Sequence, residues 1–132
     1  MRQTRNTLQR DLVLNAVKAL HNHPTAEDVY QYLIEEHPRI SRGTVYRNLN
    51  MLVALGKLIR VPVPTGADRF DHTTEAHYHI KCNHCGQVHD ADLPYQKDLK
   101  NKVRNAENFE IEDHYIVFTG ICLHCREKLK GD

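Results

Sequence analysis

Two short cysteine motifs, Cys82-Asn83-His84-Cys85 and Cys122-Leu123-His124-Cys125, constrain this chain more than any other feature. A C-x-x-C turn sets two thiolates on one side, and two such turns complete a tetrahedron, the arrangement of closed zinc sites. Gly86 follows the first pair, where such a turn calls for a residue free to take a left-handed backbone. Four thiolates leave no open coordination position. The site is therefore expected to be structural, with a zinc-binding free energy of about 10–16 kcal/mol acting as folding free energy. Disulfides do not suit a chain expected to stay in the cytosol. A thioredoxin-type redox motif needs its C-x-x-C after a strand at a helix N-terminus, and neither pair is expected to open a helix. His84 and His124 are read as exposed polar turn residues.

The 132 residues carry a net charge of only +1, but that average hides an asymmetry. Residues 1–66 hold nine Lys/Arg and five Asp/Glu, whereas residues 67–132 hold nine and twelve. All four Cys and seven of the ten His lie in the second half. A basic, Cys-free half followed by an acidic half rich in His and Cys predicts two domains, 1–66 and 67–132. The first suits nucleic acid and the second suits cations. No apolar run is long enough to cross a membrane. The start of the chain lacks the apolar stretch of a secretion signal, so a cytoplasmic location is expected.

The first half reads as three helices and a hairpin. Leu8, Leu12, Val13, Ala16, Val17 and Leu20 recur at helical steps, and His21-Asn22-His23-Pro24 ends that run. Thr25 can cap a second helix with Glu27 and Asp28 in its first turn, closed by His37-Pro38. Ser41 can cap a third running to about Leu55, where Gly56 supplies a left-handed terminus. Its polar face carries Arg42, Thr44, Tyr46, Arg47 and Asn50, residue types that meet phosphates and bases. Lys57–Val61 and Arg69–Asp71 flank a Pro/Gly loop and predict a β-hairpin. Three helices and a hairpin describe a winged helix-turn-helix, whose last helix enters the major groove. A plain helical domain with a solvated basic face remains the alternative.

The second half predicts strands over His77–Lys81, Gln87–Ala91 and Phe109–Thr119, and a helix over Pro94–Ala106. His77 and His79 sit two apart, so both imidazoles face one side of their strand. Asp71 and Asp90 are carboxylates within reach of that side. Two His and one or two carboxylates, with no thiolate, suit Fe(II), Mn(II) or Zn(II). His23 lies far upstream, and spacing alone cannot assign it to the same ion. Surface or core histidines with ordinary partners are the competing reading.

Taken together, several segments resemble the ferric uptake regulator family. They are His23–Tyr30, Gly43–Leu49, Arg69-Phe70-Asp71, His77–Cys82 and the two cysteine pairs. The resemblance implies an α+β fold: an N-terminal winged helix-turn-helix DNA-binding domain, then a small α/β dimerisation domain. It also implies a dimeric, metal-dependent repressor that binds a double-stranded DNA operator, with no catalytic residues and no small organic cofactor. On the matching positions, Cys82, Cys85, Cys122 and Cys125 would hold structural Zn(II). His23, Asp71, His77, His79 and Asp90 would hold regulatory Fe(II) or Mn(II). Tyr46 and Arg47 would meet DNA, and Arg10 a phosphate. The two Asp ligands and the Asp71-to-His77 spacing resemble the peroxide-stress branch, in which iron-catalysed oxidation modifies a ligand histidine, here His23 or His77. The alternative within the family is an iron-availability repressor without peroxide chemistry. A further metal site of some members would be mostly lost, because Ala76, Tyr78 and Lys97 stand at its liganding positions with only His114 kept. Two rivals lie outside the family: a thiol-based redox enzyme, and a zinc-ribbon module with no regulatory metal.

Overall fold

A computed structural model describes residues 4–21, 23–64 and 66–130. Asn22 and Thr65, in two of the expected loops, lie outside the described residues, as do both chain ends. The chain divides into two compact units, 1–75 and 76–132.

The first unit contains helices α1 (Arg5–Ala19), α2 (Ala26–Ile34) and α3 (Arg42–Ala54), then strands β1 (Ile59–Val61) and β2 (Arg69–Asp71). Each helix starts where the sequence offers a capping oxygen. Thr4, Thr25 and Ser41 accept from the backbone N–H of Thr7, Asp28 and Thr44. At α2 the Asp28 carboxylate also accepts from the Thr25 N–H, which completes a capping box. Gly56 ends the α3 region at φ +74°, as expected of a left-handed terminus. Val13, Val17, Val29, Leu33, Val45, Leu49, Leu52 and Phe70 belong to one continuous buried core, so the three helices bury their apolar faces on each other and on the hairpin. β1 and β2 pair antiparallel with Arg60 opposite Phe70. This is the expected winged-helix arrangement. The division falls after Glu75 rather than after Gly66, because β2 is paired to β1 and the Phe70 N–H donates to the Pro24 carbonyl at 2.9 Å.

The second unit is a three-stranded sheet and one helix. β3 (Tyr78–Cys82) lies between β4 (Val88–Ala91), which is antiparallel to it, and β5 (Val117–Gly120), which is parallel. α4 (Leu123–Lys130) follows β5. Two expectations fail here. Pro94–Ala106 is not an α-helix; only a single 3-10 turn forms, at Leu99–Lys102, and it buries no residue. Leu99 is only half-buried and Val103 is exposed, and helix stability comes mostly from packing. The strand expected from Phe109 is confined to Val117–Gly120, where β3 offers a ladder partner.

Candidate metal centres

The four cysteines converge within the second unit. Their sulfurs lie within 4.8 Å of one another, and all four are free thiols. Cys82 ends β3 and Cys85 closes the following turn, where Gly86 takes φ +80°. Cys122 precedes α4 and buried Cys125 lies in its first turn. The Cys85 and Cys122 sulfurs are 3.9 Å apart. A zinc ion with bonds of about 2.3 Å needs tetrahedral edges of about 3.8 Å, so the donor set fits it. The Cys82 Sγ accepts from the backbone N–H groups of Cys122 and Cys85, each at 3.4 Å. Those donors hold its thiol down at about 5. Burial first, then the neighbouring sulfurs, push Cys125 up to about 12. The Cys82 thiol is thus primed to ionise, whereas the buried Cys125 thiol would need a cation to do so.

The second pair does open a helix and does follow a strand, contrary to the expectation from sequence. That argument against redox chemistry therefore falls. What separates this site from a thioredoxin motif is that both pairs share one cluster.

The histidines and carboxylates form two arrangements, one in each unit. In the first unit, the His23 carbonyl accepts from Arg69 Nη1 at 3.1 Å, and Thr25 bridges to Arg69. This stitching sets His23 Nε2 3.0 Å from Asp71 Oδ2, with both side chains largely buried. His23 takes φ +54°, a conformation uncommon for a residue with a Cβ. Asp71 also accepts from the Thr73 N–H at 2.8 Å through its other oxygen. In the second unit, His79 pairs in register with Asp90. Asp90 Oδ1 lies 3.0 Å from His77 Nε2 and 3.6 Å from His79 Nε2. The two imidazoles are 4.4 Å apart between centroids, on one side of the strand as expected. Each arrangement offers only nitrogen and oxygen donors, a set that fits Fe(II), Mn(II) or Zn(II).

The residues expected to meet DNA fall into three groups. Tyr46 and Arg47 are exposed on α3. Arg10 and Arg47 line a cavity of about 430 Å³ with Asn6, Asn48 and Met51. The buried Arg10 Nε has no hydrogen-bond partner among the described residues. Arg42, Thr44 and Asn50 are engaged within the protein. Arg42 grips Glu27 of α2 through two hydrogen bonds of 3.0 and 2.9 Å and lies over the Tyr30 ring. This pairing holds the Glu27 carboxyl down at about 2. Thr44 Oγ1 accepts from Ser41 Oγ, and Asn50 accepts from Arg60 of β1. Nothing in the sequence pattern distinguished an arginine that braces two helices from one that faces outward.

The sequence profile of the ferric uptake regulator family matches residues 1–119. The chain belongs to the ferric uptake regulator family. It is a metalloregulator of transcription and not an enzyme. The peroxide-responsive repressor PerR of Staphylococcus saprophyticus is 33% identical over 124 residues, spanning 94% of this chain and 84% of that protein. The peroxide stress regulator of Campylobacter jejuni has a similar structure, with a TM-score of 0.71 and 29% identity. That likeness covers 92% of this chain and 91% of the other. A zinc uptake regulator complexed with zinc and DNA gives a TM-score of 0.73 at 26% identity, covering 98% of this chain and 88% of that one. Among the described residues, no helix of this family member is long and apolar enough to cross a membrane.

Proposed function

We propose that this family member is a metal-dependent transcriptional repressor that binds double-stranded DNA as a homodimer and responds to hydrogen peroxide. The observation that carries the reading is the pairing of His23 with Asp71 in a left-handed backbone conformation. Such strain persists where the surroundings over-determine it, and it concentrates at functional sites. In our reading, His23 and Asp71 from one unit and His77, His79 and Asp90 from the other hold a single Fe(II) or Mn(II). Cys82, Cys85, Cys122 and Cys125 hold structural Zn(II). A ligand set drawn from both units makes their mutual arrangement depend on metal, which is the basis of a switch.

The first unit would bind DNA. Tyr46 and Arg47 lie toward the start of α3, the part of a recognition helix that reaches base edges. Arg10 and Arg47, converging on one cavity, suit a backbone phosphate. The second unit would dimerise. β5 is an edge strand, and Phe118 and Ile80, paired in register, leave an exposed apolar strip continued by Ile121 and Leu123. A second copy covering that strip would protect the edge and set two recognition helices on successive major grooves.

Bound Fe(II) would supply the redox chemistry that cleaves the O–O bond of hydrogen peroxide and would be regenerated. One peroxide oxygen would insert into a C–H bond of the His23 or His77 imidazole, which is oxidised by two electrons, and the other would leave as water. An oxidised imidazole is a poorer ligand, so the metal is released and the repressor leaves DNA. The test is peptide mass spectrometry of zinc-loaded protein carrying Fe(II), before and after stoichiometric peroxide. A single added oxygen on His23 or His77, absent when Mn(II) replaces Fe(II), supports peroxide sensing. Intact histidines redirect the reading to an iron-availability repressor. Selection from a random double-stranded DNA pool, with and without Mn(II), tests the repressor itself. Equal enrichment under both conditions would overturn metal gating.

A further inference from the structure

We infer that Tyr78 is a positioning residue for the His77–His79 pair, and that His114 is the acceptor that locks it. The inference rests on the metal-site reading above. Side chains alternate along a strand, so Tyr78 leaves β3 on the face opposite His77 and His79. Its side chain is 1% exposed. The hydroxyl oxygen accepts from the Gln96 N–H at 2.9 Å and lies 2.6 Å from His114 Nε2. Gln96 occupies one lone pair of the hydroxyl, and we assign the hydroxyl proton to His114 Nε2, in the tautomer of His114 that carries its own proton on Nδ1. Tyr95 stacks on His114 at 4.9 Å between centroids and also packs against Tyr78 at 5.3 Å.

This anchor does work that packing does not. The second unit has few buried apolar side chains, and the segment between β4 and β5 is largely irregular. One end of β3 is held by the cysteine cluster at Cys82. The other end carries both imidazoles, and there the Tyr78 hydroxyl ties the strand to Gln96 and His114 in that irregular segment. A ligand pair must be held to within about 0.5 Å and 10–20° to bind well. A single hydroxyl between His77 and His79 in sequence governs the aim of both.

The test titrates Mn(II) into full-length, zinc-loaded protein and compares Tyr78→Phe, His114→Ala and His114→Gln with the parent chain. Tyr78→Phe keeps the ring and removes only the hydroxyl. We expect Tyr78→Phe and His114→Ala to weaken Mn(II) binding about tenfold, the range seen when outer-shell partners of metal ligands are lost. Zinc stoichiometry should stay unchanged. His114→Gln offers an amide oxygen to the same hydroxyl and should restore most of the affinity. The Co(II) absorption spectrum should shift in Tyr78→Phe and return toward the parent form in His114→Gln. Parent-like Mn(II) affinity in both Tyr78→Phe and His114→Ala would overturn the anchor alone. Equal losses in His114→Ala and His114→Gln would also overturn it, because packing and not the hydrogen bond would then be responsible. A parent chain that takes zinc but no Mn(II) would overturn the metal-site reading and the anchor with it. If Tyr78→Phe fails to fold, the two His114 variants decide the question.

Discussion

The two units are held together by different physics. The first closes around Val13, Val17, Val29, Val45, Leu49 and Leu52, each at most 1% exposed, with the hairpin residue Phe70 in the same core. The second buries little beyond Tyr78, Val88, His79 and two cysteines among its described residues, and it leaves Phe109, Tyr115, Leu123 and Leu129 well exposed. Domains this small stand at the edge of what hydrophobic burial can stabilise. The first unit meets that limit with three capped helices on a common core. On the proposed reading, the second adds a metal cross-link and a partner surface.

The contrast predicts where the molecule breaks. Cys82→Ser should have the largest effect, because about 10–16 kcal/mol of zinc-binding free energy supports the fold. Zinc should be lost and the second unit should become protease-sensitive, while circular dichroism still reports α1–α3. A protease-resistant, zinc-free second unit would erase the contrast. Leu49→Ala should do the reverse. It should cost about 2–5 kcal/mol in urea unfolding of the first unit, with zinc content unchanged.

His23→Ala sharpens the comparison by removing a donor that the core does not need. Mn(II) binding should weaken at least about a hundredfold, and Mn(II)-dependent DNA enrichment should disappear, with thermal unfolding of α1–α3 little altered. Unchanged Mn(II) dependence would remove His23 from the site. Phe118→Asp places a charge in the exposed strip and should weaken self-association by about 2 kcal/mol, read by sedimentation. A dimer of unaltered affinity would direct the search for the interface elsewhere.

The smallest effect is expected at Glu27→Gln, on the surface of the first unit. The Glu27 carboxyl falls from 4.5 to about 2 in the folded chain, chiefly through the Arg42 hydrogen bonds. A depressed folded value stabilises above the unfolded one, so the contribution is present above pH 4.5 and fades as pH falls toward 2. The difference between parent and variant should shrink over that interval. The pair is exposed, and water screens it, so the effect at neutral pH is small.

Much of the first unit was legible because its signals are local. A capping oxygen, a 3.6-residue apolar repeat and a glycine at a helix end each act within one turn. The cysteine spacing was legible for the same reason, since two thiolates three residues apart share one turn by chain geometry. The failures lie where local signals are weak. Pro94–Ala106 carries a plausible apolar pair, but the fold half-buries Leu99 and leaves Val103 exposed. α4 was missed because its only buried residue, Cys125, gains its place from the cysteine cluster and not from an apolar repeat.

The candidate sites divide along the same line. Residue types and spacing by themselves determined that four thiolates form a set and that His77 and His79 share a strand face. Tertiary structure alone decided that His23 meets Asp71, because Arg69 bonds the His23 carbonyl across a sequence gap that no periodicity spans. It alone decided that Arg42 pairs with Glu27 of α2, and that Tyr78 finds His114. Spacing constrains side chains only within a helix turn or along a strand. Contacts between distant segments depend on how the core and the sheet pack, and that is settled only when the whole unit folds.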